Sequence, residues 1–71
     1  MEDSVYKMIE VIGTSEKSWE DAAKRAVSRA NESVRDIRIA EIISLDMRLE
    51  DSRVVAYRAR VKISFKYEGK D

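Results

Sequence analysis

From Val54 to Tyr67 the chain alternates almost without a break. Val55, Tyr57, Ala59, Val61, Ile63, Phe65 and Tyr67 fall on one side, and Arg58, Arg60, Lys62, Ser64 and Lys66 on the other. A period of two over so long a run predicts a strand with one apolar face, and at ~3.3 Å per residue it extends roughly 45 Å. The rest of the chain must cover a surface of that length, and 71 residues in all make one domain at most.

Three further elements follow from the pattern. Val5 to Ile12 is β-branched and aromatic enough for a strand, about 5–12, which Gly13 is expected to end. Thr14 and Ser15 offer side-chain oxygens as helix N-caps, with Glu16, Glu20 and Asp21 placing negative charge near the helix start. Trp19, Ala22, Ala23, Ala26, Val27, Ala30 and Val34 then recur at steps of three and four, predicting a helix over about 16–34. That face is mostly alanine, so the helix can lie close to a sheet with Trp19 as its one large core anchor. Lys17, Glu20, Lys24, Arg25, Ser28 and Glu32 form the solvated face. Ile37, Ile39, Ile43, Leu45, Met47 and Leu49 predict a second strand over about 37–49, and Glu50-Asp51-Ser52-Arg53 supplies the turn into the last strand, about 54–67. The tail from Glu68 to Asp71 is expected to fray. The fold class is α+β with the order strand, helix, strand, strand. Setting the third strand between the other two makes every pairing antiparallel, so the spatial order is 1-3-2.

One helix cannot cover such a sheet, since about 20 helical residues reach only ~30 Å. If Asp51-Ser52 is a two-residue turn, odd positions of the second strand share a face with even positions of the third. The Ile and Leu row then lies beside Arg58, Arg60 and Lys62, and both faces of the sheet carry apolar side chains with cover for only one. A three-residue turn or a bulge would instead bring the two apolar rows together. Exposed apolar surface of this extent marks an interface, and a closed homo-oligomer is the expected solution.

Composition removes several classes of function. With no Cys and no His there is no disulfide framework, no thiol chemistry, no ordinary zinc or iron–sulfur site and no Ser-His-Asp relay. Fourteen basic and fourteen acidic side chains cancel, which disfavours a nucleic-acid partner. No apolar run approaches the ~20 residues of a membrane span, and the first residues do not read as a signal peptide, so a cytoplasmic protein with no membrane partner is expected. Nothing in the spacing of carboxylates and lysines marks a general acid–base pair; no catalytic residue is assigned, and the chain is not expected to be an enzyme.

Val5-Tyr6-Lys7, Glu10-Val11-Ile12-Gly13-Thr14-Ser15, Ser18-Trp19-Glu20, Ala26 to Ala30, and Tyr57 through Lys62-Ile63-Ser64-Phe65 resemble the dodecins, in order and with matching lengths from about residue 5 to 67. The resemblance implies a three-stranded antiparallel sheet partly wrapping one helix, with twelve copies assembled into a hollow sphere. It also implies flavins, or their breakdown products, held in pairs and stored rather than transformed.

In flavin-binding members a tryptophan on the second strand stacks on the isoalloxazine ring and a glutamine on the third bonds its polar edge. Aligned through Val34-Arg35, Glu41, Tyr57 and Lys62, those ligand positions are Ile39 and Arg58 here. Isoleucine packs on a ring but has no π face, and arginine donates but cannot accept. Arg58 therefore points to an anionic or phosphate-bearing ligand. The run Asp36-Ile37-Arg38-Ile39-Ala40 and the pair Asp46-Met47 resemble a divergent dodecin branch for which calcium binding is described. Calcium takes six to eight hard oxygens; Asp46, Glu50 and Asp51 are candidates for some of them, with no EF-hand spacing and no ligand set assigned. The alternative to a flavin store is thus a calcium-binding or purely structural assembly.

Overall fold

The computed structural model describes residues 5–67, so the tail from Glu68 to Asp71 lies outside the described residues. The chain folds as β1 (Tyr6–Ser15), α1 (Trp19–Ala30), β2 (Ile37–Glu50) and β3 (Arg53–Lys66), and the strands form one sheet in the order β1-β3-β2, antiparallel throughout. The expected class and strand order are both present.

Three boundaries differ from the sequence expectation, each for a local reason. Gly13 does not end the first strand; it pairs with Ala59, and β1 continues to Ser15. A Cβ at Gly13 would run into the backbone carbonyl oxygen of Ala22 and lie 3.0 Å from Cβ of Ala26, so the glycine is there to let the helix approach. The cap is neither Thr14 nor Ser15. Ser18 holds that place in extended geometry, its Oγ accepting from the Asp21 backbone N–H at 3.0 Å. Ser15 is buried just ahead of it. Its Oγ donates to Asp21 Oδ2 at 2.7 Å and accepts from the backbone N–H of Lys17 at 2.9 Å, bracing the loop that enters the helix. At its far end α1 stops at Ala30 rather than near residue 34. Glu32 and Ser33 bond back to Arg29 and Ala30 in tighter turns, and Asp36 at φ 65° turns the chain into β2.

The core is thin. Ala22, Ala26 and Ala30 from α1 meet Ala59, Val61 and Ile63 from β3, with Ile9, Val11, Ala23, Val27 and Ile37 around them. Among the described residues, only Val61 and Ile63 are large side chains fully removed from solvent.

The hairpin makes the predicted two-residue turn, Asp51 and Ser52 both having positive φ (51° and 64°), as a type I′ turn requires. The predicted pairing of faces does not follow from it. Between Leu49↔Val54 and Arg48↔Ala56 the register slips and leaves Val55 without an opposite number, so Met47 faces Tyr57 and Leu45 faces Ala59. A second slip at Ile43 sets Ile42 opposite Val61 and Ala40 opposite Ile63. Ala40, Ile42, Leu45 and Met47 therefore share the helix side of the sheet, not the side of Arg58, Arg60 and Lys62. The apolar row is nevertheless uncovered. The helix, ~18 Å long at 1.5 Å per residue, lies over β1 and β3 of a molecule 53 Å in its longest dimension and scarcely touches β2. Ile42 and Leu45 stay 45% and 48% exposed on the helix side, while Ile39, Met8 and Ile12 are exposed on the other.

Gly13→Ala is expected to destabilise the fold by about 1–3 kcal/mol, because backbone rather than a flexible side chain must yield. The measurement is chemical denaturation, in which the midpoint should fall with the slope unchanged; an unaltered midpoint would mean the helix shifts at no cost.

Candidate functional site

The sheet face away from α1 is ordered by the register into four rows, each naming a residue of β1, its partner on β3 and that residue's partner on β2. They are Met8, Ser64 and Ile39; Glu10, Lys62 and Glu41; Ile12, Arg60 and Ser44; and Thr14, Arg58 and Asp46. Charges match across the strands, with Lys62 between two glutamates and Arg58 beside an aspartate. Of these four rows the first is apolar apart from Ser64, and the last is polar throughout.

Arg58 and Asp46 form a two-point ion pair, Nε donating to Oδ1 at 2.7 Å and Nη2 to Oδ2 at 2.8 Å. The guanidinium holds the Asp46 carboxyl below the ordinary aspartate value chiefly by this hydrogen bonding; desolvation opposes it, and the charges of Arg58 and Arg60 add to the lowering. The same strand position is gripped from the helix side. Trp19 donates its indole N–H to the Asp46 carbonyl oxygen at 2.9 Å and meets the Tyr57 ring edge-on, 5.1 Å between centroids. Trp19 is thus an anchor, as expected, but half-buried and fastened to β2 rather than set among the core alanines.

The two ligand positions expected from the sequence, Ile39 and Arg58, lie on this same outer face. They are not brought together within a chain: Ile39 stands seven residues along β2 from Asp46, the partner of Arg58, or ~23 Å of strand. A pocket using both needs more than one copy. The carboxylates proposed for calcium do not converge either. Asp46 is held by Arg58, Glu50 accepts from Arg48 Nη1 at 2.7 Å, and Asp51 sits in the hairpin turn. Among the described residues of one copy, no three acidic side chains are grouped to hold a metal ion.

On the helix side, a groove between α1 and β2 is lined by Trp19, Ala23, Lys24, Val27, Ile42 and Leu45. No helix among the described residues is long and apolar enough to cross a membrane.

A family model for dodecins matches residues 5–68. The chain belongs to the dodecin family. It is 51% identical over 63 residues to the calcium dodecin of Mycobacterium tuberculosis, covering 89% of each chain. The crystal structure of that relative, described as a calcium-chelating antigen with a novel calcium-binding site, superposes with a TM-score of 0.82 at 47% identity over 96% of this chain and 97% of that one. The dodecin of Thermus thermophilus is 30% identical over 64 residues, 90% of this chain and 93% of the relative. The dodecin of Streptomyces coelicolor matches with a TM-score of 0.90 at 28% identity, over 99% of this chain and all of that one. The β-α-β-β arrangement seen here is the one these dodecins share.

The sequence offers Asp46 as a calcium candidate but does not show its pairing with Arg58, which depends on the bulge at Val55. Because its folded value is depressed, the pair is complete at neutral pH and is lost only as pH falls through that lowered value. Carboxyl NMR titration should place the Asp46 midpoint below that of an ordinary aspartate, and Arg58→Gln should move it up toward the ordinary value of 3.8. An unmoved midpoint would mean that Arg58 is not what holds it down.

Proposed function

We propose that the chain builds a closed, hollow homo-oligomer in the cytoplasm, most simply the dodecamer that gives the family its name. In this reading the assembly stores a small ligand between copies and catalyses nothing. The observation that carries the assembly is the mismatch of cover. One short alanine-faced helix shields β1 and β3, while Ile42, Leu45 and Met47 on one side of the sheet and Ile39, Met8 and Ile12 on the other remain exposed. Neighbouring copies bury both sets in the assembled form.

The ligand is read onto the outer face. Ile39 offers an apolar surface to a flat ring and Arg58 a fixed hydrogen-bonding edge; they meet in one pocket only when two copies contribute. Membership of the family supports a flavin-type ligand. A second reading, calcium binding, is favoured by the 51% identity to the calcium dodecin. Since the described acidic residues of one chain are dispersed, that site would gather carboxylates from more than one copy.

Light-scattering mass, recorded with an absorbance spectrum of the untreated protein, tests the reading. A particle many times the 8.2 kDa protomer is expected; a cooperatively folding 8.2 kDa monomer at micromolar concentration overturns it. Leu45→Glu should lower the mass while circular dichroism keeps its strand and helix signal, because the position is peripheral to the protomer core. Titration with riboflavin should quench its fluorescence, and calorimetry with calcium against magnesium tests the second reading; heat with calcium alone would favour it.

A further inference from the structure

We propose that Asp46 sets the ligand specificity of the outer-face site by acting as a built-in counter-ion that closes Arg58 to phosphate and other free anions and leaves it open to uncharged ligands. The inference rests on the ligand-binding reading above and reverses what the bare sequence suggests, since an exposed arginine alone would attract phosphate.

The geometry carries it. Both carboxylate oxygens of Asp46 are engaged by Arg58, at 2.7 and 2.8 Å, so the guanidinium presents two of its five donors to its own chain. Each of these bonds is charge-assisted and about twice as strong as a neutral one, so an incoming anion has to displace a partner that is already tethered. The pair has no net charge, which removes the long-range attraction that steers an anion inward. Over the four rows of the face, the charges of Arg58, Arg60 and Lys62 are balanced by those of Asp46, Glu10 and Glu41. Across the sheet Arg58 faces Thr14, and Lys62 on the same face lies between Glu10 and Glu41. Arg60 is the neighbouring cation, opposite Ile12 and Ser44, two residues along the strand.

What remains is polar but neutral. Nη1 and the second hydrogen of Nη2 point away from Asp46, and each carboxylate oxygen keeps a further lone pair. Donors and acceptors thus lie side by side, which arginine alone cannot provide. Both side chains are open to the outer face, Arg58 42% and Asp46 53% exposed. Trp19 fixes the position of the pair through the Asp46 backbone oxygen.

The test compares wild type, Asp46→Asn and Arg58→Gln, using inorganic pyrophosphate, riboflavin and riboflavin 5′-phosphate as probes in calorimetry and fluorescence quenching. Wild type should ignore pyrophosphate and bind the two flavins within ~2-fold of each other. Asp46→Asn should gain pyrophosphate binding and prefer the phosphate ester by ~10-fold, equivalent to ~1.4 kcal/mol. Arg58→Gln added to Asp46→Asn should abolish that gain. Asp46→Ser, which removes the carboxylate with less bulk, gives the same readout should the asparagine variant fail to assemble. Pyrophosphate bound by wild type and lost in Arg58→Gln overturns the proposal, as does an unchanged discrimination in both Asp46 variants. Absence of flavin binding by every protein refutes the flavin reading alone, because the pyrophosphate arm still reports on Asp46.

Discussion

The close seating of α1 on the sheet governs the rest of the molecule. Ala22 and Ala26 approach the β1 backbone at Gly13, where a single methyl group has no room, and the layer beneath is Ala59, Val61 and Ile63. A helix seated so closely needs few large side chains to exclude water, which suits a chain of 71 residues. The same closeness limits its reach. An alanine face leaves the helix with few long side chains to spread sideways, so apart from the Trp19 bond to Asp46 β2 is left largely bare on the helix side. Stability of the protomer and exposure of its second strand thus come from one choice of residues.

The charged face is organised by a different device, the displacement of register at Val55. Without it, the turn at Asp51 and Ser52 would set the Ile and Leu row beside Arg58, Arg60 and Lys62. With it, Arg58 meets Asp46 and Arg60 meets Ser44, and the second slip at Ile43 restores the pairing of Lys62 with Glu41. Two displaced residues, Val55 and then Ile43, therefore give Arg58 and Lys62 acidic partners and Arg60 a polar one. It also makes the chemistry of Arg58 that of an ion pair rather than of a lone cation.

Most of the fold was legible from the sequence because it is written in periodicities. The period of two from Val54 to Tyr67, the spacing of Trp19, Ala22, Ala26 and Ala30, and the Asp51-Ser52 turn each specify their element. The boundaries at Gly13 and Ser18 were not, because they depend on what packs against them: the glycine serves a helix that arrives later in the chain, and Ser15 is buried by the same arrival. The site was less legible still. Ile39 and Arg58 entered through resemblance to a family, and membership of that family is secure, yet their environment turns on bulges that carry no mark in sequence. Nothing around Val55 or Ile43 distinguishes a displaced residue from a paired one, so the partner of Arg58 was visible only in three dimensions.

The irregular pairing of β2 bears on solubility. A long, apolar edge strand offers a template on which further chains can add, and an even ladder of backbone groups would let such addition continue into a fibre. Three breaks in register along β2 and β3 interrupt that ladder and strengthen the local right-handed twist. The bare strand is thus bent out of the flatness that fibrous stacking demands, which favours association that curves and closes over association that propagates without end.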